Sequence, residues 1–330
     1  MGDVAISVSA IHNVLDNNPD VEIVLLTKTP FWPLFGAHPR LIFHAIDLKG
    51  NHKGFRGLKR LHSELKQYNI SAYADLHDVL RTKVLRGFYS VSKKAIAVIN
   101  KERTIKENIV KKKLPISQQR HSLDRYLDVF EKLNLKVDRA FDYQLALTDS
   151  IVVSQFIDGF HSEDKLYGIA PFAAHGAKEW GLDNIKRLME LMLQDNTIKI
   201  LLFGGGPFET KYLQELAQEN DNIYAVAGAY SLLEEVQLMK KCQSILAMDS
   251  ANMHLADLAG VKVVSTWTST HPCFGFYPLH NLKNCLFPSD AEMPSFPISI
   301  YGKLKSTKDT AQVEQARKMI TPEKVWNKMK

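Results

Sequence analysis

Residues 244 to 267, SILAMDSANMHLADLAGVKVVSTW, concentrate the residue types whose spacing can do chemistry. An apolar run ends at Met248, the cap-forming Asp249 and Ser250 follow, and a helical pattern runs to Gly260 before a second apolar run. This order marks a strand-to-helix junction in a parallel sheet. The first-turn amides of such a helix, here around Ser250 and Ala251, have no internal partners. The helix dipole adds positive potential, so a phosphate there gains roughly 0.3–2 kcal/mol from the dipole alone. His254 supplies a further donor at the start of the helix. The pattern leaves open whether Asp249 or Ser250 only caps the helix and His254 only fills space.

Two other loops carry candidate groups. FGGGPFE, 203 to 209, follows a strand pattern and precedes a helix, but it is a poor dinucleotide-binding loop. Gly204 and Gly206 give its first two glycines, while Glu209 stands where the third belongs. A dehydrogenase is disfavoured, and Glu209 remains able to accept hydrogen bonds from ribose hydroxyls. APFAAHGAKEW, 170 to 180, presents Lys178 just beyond another strand. Ligands of open parallel sheets bind outside the carboxyl ends of the strands, so these three loops are expected to share one rim. Lys178 would bring a full positive charge to a site of neutral amides, which suits a departing diphosphate. The chain has no Walker lysine pattern, HExxH or GxSxG.

The elements that must position these groups read as two rounds of alternating strand and helix, an α/β chain with parallel sheets. In the first half, strand-like runs fall at 21–28, 40–47, 71–77 and 94–100, with helical patterns at 4–18, 54–69 and 120–134. In the second half, strands are predicted in YGIAPFA, IKILLFGG, NIYAVAG, SILAMDS and VKVVSTWT. The expected division is a first domain over 1–157, a linker at 158–166, a second domain over 167–315, and a terminal helix at 316–330 that returns to the first domain. A doubly wound domain normally opens on a strand, whereas this chain begins directly in a helix. The expectation is that Met1 is an internal residue of a longer natural sequence and that the first strand of the first domain is missing.

A chain of 330 residues with 45% hydrophobic content is large enough for two cores. No apolar run approaches the ~20 residues of a membrane-spanning helix and no secretion signal opens the chain, so a soluble cytoplasmic protein is expected. Cys242, Cys273 and Cys285 lie far apart without a CxxC and are read as reduced packing residues. Residues 1–150 hold 24 Lys and Arg against 16 Asp and Glu, while residues 151–330 hold 18 against 20. The excess is densest at 101–113, with six basic residues and two acidic. It favours an anionic partner on the first half: nucleic acid, an acidic membrane surface or a phosphorylated glycolipid. The basic stretches lack interleaved aromatic platforms, which makes nucleic acid the weakest of the three.

Taken together and in order, MGDVAIS at the start, KEW at 178–180, GGPFE at 205–209, AGAYSLLE at 227–234, DSANMHLADLAG at 249–260 and MITPEKV near the end resemble glycosyltransferase family 9, the heptosyltransferases. The resemblance implies the GT-B architecture: two Rossmann-like domains facing a cleft, the first binding the acceptor and the second the nucleotide-sugar. It implies an inverting, metal-independent transfer without a cofactor. The implied substrates are an ADP-heptose donor and an anionic lipopolysaccharide inner-core acceptor at the cytoplasmic face of the inner membrane, with peripheral membrane contact. Position by position, Asp3 matches the family's general base. Lys178 and the amides around Ser250 and Ala251 match the diphosphate site, Glu209 a ribose contact, and Asp249 and His254 the frame of the same turn. Ala251 stands where the family usually has glycine. Arg81, Lys83, Arg120, His121 and Arg125 are the acceptor-binding candidates on the basic half. The alternatives are a noncatalytic nucleotide-sugar or anionic-glycan binding protein and a nucleotide-sugar epimerase of the same architecture.

Overall fold

The structure, a computed structural model, describes residues 1–91 and 93–330. It divides into two compact units. The first holds residues 1, 3–101 and 122–145; the second holds residues 2, 102–121 and 146–330. Among the described residues no helix is long and apolar enough to cross a membrane.

In the first unit the order is α1 (Gly2–Asn17), β1 (Ile23–Thr27), β2 (Leu41–Ala45), α2 (Gly54–Leu65), β3 (Ala72–Asp75), α3 (Leu80–Val91) and β4 (Ala95–Val98). After the excursion through α4 (Arg103–Val110), the chain adds α5 (Ser122–Glu131). The helix that opens the chain is buried on most sides, with Ala5, Val8, Ile11, Val14 and Leu15 in the core. Arg40 closes its far end by donating to the carbonyls of Leu15 and Asn18, which have no partner inside the helix. The four strands form two separate parallel ladders, β1 with β2 and β3 with β4. Both ladders lean on one apolar cluster: Val24 and Leu26 from β1 and Tyr73 from β3 pack around Leu58, Leu61, Leu65 and Leu85. The strand-like runs of the sequence are therefore strands, but they do not join into one sheet.

The second unit runs α6 (Ile151–Ile157), β5 (Lys165–Ala170), α7 (Leu182–Met192), β6 (Ile198–Leu202), α8 (Pro207–Ala217), β7 (Ile223–Ala225), α9 (Leu232–Lys241), β8 (Ser244–Met248), α10 (Ala251–Leu258), β9 (Lys262–Thr266), β10 (Cys285–Leu286), α11 (Thr307–Met319) and α12 (Pro322–Met329). Its six strands form one parallel sheet in the order β10-β9-β8-β5-β6-β7. Alternate side chains serve opposite faces. Tyr167, Ile169, Ile200, Leu202, Leu246, Met248 and Val264 share one core with α7, α8 and α12. Every residue of β8 is buried, as a central parallel strand covered on both faces must be. The three cysteines are free and buried, as their spacing suggested.

The compact units divide the chain differently from the expected 1–157, 158–166, 167–315 and 316–330. The chain enters the second unit at residue 146, where Ser150 and Thr148 hydrogen-bond to Gln237 of α9 and Asp149 pairs with Lys241 of α9. The basic segment 102–121 also belongs to the second unit: Gln119 donates to the Cys273 carbonyl, Lys112 to that of Phe296, and Lys106 lies over the Phe276 ring. With that segment moved, the first unit holds 18 basic and 13 acidic residues and the second 24 and 23, so the charge contrast is milder than the sequence halves suggest. The terminal helix packs within the second unit. Val325 and Met329 of α12 enter the second unit's core, and Ser244 donates to the Met329 carbonyl.

Candidate functional site

Strand order in the second unit reverses between β5 and β8: the chain builds outward through β6 and β7, then returns to place β8 on the other side of β5. In open parallel sheets the ligand crevice lies at such a reversal, beyond the carboxyl ends of the two strands. The loop after β5 carries Lys178 and the turn after β8 carries Asp249. Their side chains meet there, with Lys178 Nζ 2.8 Å from Asp249 Oδ2. Thr270, beyond β9, donates to the same carboxylate oxygen at 2.7 Å.

The surroundings hold Lys178 in place. Thr268 donates to the Ala177 carbonyl, and Arg317 donates to the carbonyls of Gly176 and Glu179, which pins the short turn that presents the lysine. Gly302, with φ +81°, lies against the lysine stem so closely that a Cβ there would fall 2.7 Å from Lys178 Cγ. Only glycine suits both that conformation and that approach.

Ser250 occupies the N-cap of α10, yet its hydroxyl makes no cap hydrogen bond. Its Oγ and that of Ser269 are buried without a partner. Leaving a buried hydroxyl unsatisfied costs about 1–3 kcal/mol, so the Ser250 hydroxyl at the start of α10 is a donor waiting for an acceptor. The helix start adds free amides and positive potential. What the arrangement can do chemically is bind an anion and stabilise charge that grows on it.

The glycine loop after β6 is a braced turn. Glu209, in the first turn of α8, accepts from the Gly205 amide at 2.8 Å, and burial pushes its carboxyl pKa up. Gly206 takes φ +87° ahead of Pro207 at the helix start.

The family model of glycosyltransferase family 9 (heptosyltransferase) matches residues 58–301, most of the chain. The chain belongs to glycosyltransferase family 9. It is 20% identical over 286 residues to the lipopolysaccharide core heptosyltransferase OpsX of Haemophilus influenzae, a match covering 86% of this chain and 80% of that protein. Its structure resembles a family 9 glycosyltransferase from Veillonella parvula with a TM-score of 0.72 at 17% identity, over 99% of this chain and 92% of that one. It also resembles the ADP-heptose lipopolysaccharide heptosyltransferase II of E. coli with a TM-score of 0.66 at 16% identity, over 99% and 94%. The fold is therefore GT-B, and the family places the chain among the glycosyltransferases.

The structure brings Lys178, Asp249, Ser250 and the Ala251 start of α10 together in this family 9 chain. His254 is half-buried one turn into the same helix. Asp3 lies in the first turn of α1, in the first unit, where Tyr126 donates to its Oδ1 at 3.4 Å. The five acceptor candidates do not gather in one unit. Arg81 is exposed at the start of α3, and Lys83 reaches within 3.9 Å of Asp78. Arg125 is buried in α5. Arg120 and His121 fall in the second unit, where the buried His121 donates to the Tyr277 carbonyl at 2.9 Å.

Sequence reasoning missed Thr270, Gly302 and Arg317. The hydroxyl run STWTST at 265–270 was the available signal, but its first residues satisfied a strand pattern and drew no further reading. Nothing in the sequence ties Gly302 to Lys178, 124 positions away.

Proposed function

We propose that this chain transfers a heptose from ADP-heptose to an anionic lipopolysaccharide inner-core acceptor, with inversion at the anomeric carbon. The observation that carries the reading is the meeting of Lys178 and Asp249 at the start of α10, beside the buried Ser250 hydroxyl, which has no partner. That set matches the needs of a diphosphate whose charge increases as the sugar leaves. Lys178, the α10 amides and the Ser250 hydroxyl supply the compensating positive potential, so the proposed displacement needs no metal. The matched relatives are a lipopolysaccharide core heptosyltransferase and an ADP-heptose lipopolysaccharide heptosyltransferase, which supports both substrate classes.

In this reading Asp3 removes the proton from the acceptor hydroxyl as that oxygen attacks the anomeric carbon from the face opposite the diphosphate. General-base assistance of this kind contributes about 10² to 10⁴ in rate. Glu209 contacts the ribose, and Asp249 and His254 frame the diphosphate turn. Arg81, Lys83, Arg120, His121 and Arg125 remain the candidates for acceptor charge. Peripheral contact with an anionic membrane is part of the proposal. Phe55, Leu80 and Val91 are 64%, 80% and 86% exposed on α2 and α3, amid the exposed Arg56, Lys59, Arg60, Arg81 and Lys83.

The test is release of nucleoside diphosphate from ADP-heptose, UDP-sugars and GDP-sugars, with and without core-truncated lipopolysaccharide. ADP release that requires the acceptor and is lost in Asp3→Asn is the expected outcome. Tight ADP-heptose binding with no acceptor-dependent turnover would sink the transferase reading in favour of a binding protein.

A further inference from the structure

The loop between β3 and α3 places an imidazole beside Asp3 that the proposed chemistry has not used. His77 Nε2 lies 3.7 Å from Asp3 Oδ2, while the Tyr126 hydroxyl approaches the other carboxylate oxygen. We propose that His77 is a positioning residue for Asp3: with Tyr126 it holds the carboxylate in one orientation toward the acceptor hydroxyl. This rests on the reading of Asp3 as the general base.

The loop is built to hold the imidazole there. Asp75, at the end of β3, has a fully buried side chain whose Oδ1 accepts from the backbone amides of both His77 and Asp78, at 2.9 and 2.8 Å. Its Oδ2 faces Arg86 Nη1 at 3.3 Å, and Arg86 also donates to Asp78 at 3.1 Å. Asp78 takes φ +42°, a conformation that this clamp maintains at the corner next to His77. The backbone of His77 is thus tied to the end of a strand rather than to a loose loop.

The chemistry of the two partners fits donation to a carboxylate. Burial pushes the His77 pKa down and Asp3 pulls it up, with Lys101 and Arg81 pushing down and Asp75 up. A neutral ring with its proton on Nε2 donates toward Asp3 and leaves Nδ1 as the acceptor. Tyr126 is fully buried and its phenol pKa is raised well above the ordinary value, so it stays protonated and can only donate to the carboxylate. The other charges facing this group are Arg125 on α5 and the amino end of α1. Two donors from different elements fix the plane of a carboxylate where one would let it rotate. At 3.7 Å the pair lies just outside hydrogen-bond range, and in the proposed role it closes as substrate binds, as catalytic contacts commonly do.

Because both side chains are about half exposed, the pair contributes little to stability, which separates positioning from folding. The experiment compares wild type, His77→Ala, His77→Gln and Asp3→Asn with ADP-heptose and core-truncated lipopolysaccharide. His77→Ala is expected to lower kcat about tenfold at unchanged KM for ADP-heptose and unchanged Tm, a fraction of the full general-base contribution. The acidic limb of its kcat/KM profile should change, and His77→Gln, which keeps a donor at the Nε2 position, should restore most of the rate. A binding readout independent of turnover is the NMR titration of the His77 ring, whose pKa should fall in Asp3→Asn because a neighbouring negative charge is removed. Wild-type kcat and pH limb in His77→Ala, with Asp3→Asn inactive, would overturn the positioning role alone. Full turnover in Asp3→Asn would overturn the base reading and this inference with it. An unmoved His77 titration in Asp3→Asn would show that the contact is not made.

Discussion

The two ends of the proposed reaction rest on different kinds of scaffold. In the second unit a continuous six-stranded sheet, with a central strand buried at every position, delivers Lys178 and Asp249 to one point, where they are 16% and 6% exposed. In the first unit, Asp3 and His77 are 55% and 44% exposed and stand on a helix and a loop beside two separate two-stranded ladders. The comparison teaches where each site gets its precision. The proposed diphosphate site is organised by burial, so its polar groups carry large penalties and large rewards. The proposed base is organised by a few polar contacts near solvent, so its parts can be altered with little effect on folding.

The largest effect that follows is at Lys178. Lys178→Met should lower kcat/KM for ADP-heptose about 10- to 150-fold, the worth of a charge-assisted hydrogen bond. It should also destabilise the fold by about 3–5 kcal/mol, because it strands the Asp249 charge in a buried position. Adding Asp249→Asn should recover much of the stability measured by urea unfolding but none of the turnover. Recovery of both would break the distinction between the two regions.

Next comes Glu235 in the first turn of α9, whose carboxyl is buried and whose pKa is pushed up to about 7 by that burial, against a backbone hydrogen bond at Gly228. A carboxyl whose folded pKa lies above its unfolded value contributes stability fully present below the unfolded pKa and lost as pH rises through the folded one. Wild type should therefore lose on the order of 3 kcal/mol relative to Glu235→Gln between about pH 4.5 and 7.5. Parallel denaturation curves for the two proteins across that range would remove the burial argument.

Gly302→Ala should cost about 1–3 kcal/mol, from its positive φ and from the clash with the Lys178 stem. It should raise the KM for ADP-heptose several-fold by displacing the ammonium group. An unchanged KM at reduced stability would mean that the cradle supports the fold but not the site. The smallest and most diagnostic change is Ser250→Ala. Removing a buried hydroxyl without a partner should leave the ligand-free protein as stable as wild type or up to about 1 kcal/mol more stable, while ADP binding measured by calorimetry weakens roughly tenfold. Equal losses in both quantities would show that the hydroxyl serves the fold.

Much of the secondary structure was legible because strands and helices bury faces at fixed periods. The apolar runs at 21–28, 40–47, 71–77 and 94–100 are all strands, trimmed by a residue or more at their ends. The helical spacing at 54–69 became α2 followed by a single short 3-10 turn. The α4 segment was less legible, since a run dense in lysine reads as solvated surface until Lys106 is found over an aromatic ring. The proposed diphosphate turn was legible in kind, as a strand ending in Asp249 and Ser250 ahead of a helix with Lys178 on the same rim, but the Lys178–Asp249 ion pair, the Thr270 bond and the unsatisfied Ser250 hydroxyl were not.

Local chemistry, then, is what the sequence determined by itself. Periodicity set the elements, small and capping residues set the turns, and the ordered motifs from Asp3 to the closing helix set the family. Tertiary structure alone decided which distant residues share a charge, as when Thr270 and Lys178 converge on Asp249 and Asp75 fixes the loop that sets His77 beside Asp3. It also decided to which unit the basic segment 102–121 belongs. The physical reason is that hydrogen bonds within a turn depend on neighbours in the chain. Burial and charge pairing depend on how strands are ordered in a sheet, and that order is fixed only when all of them pack at once.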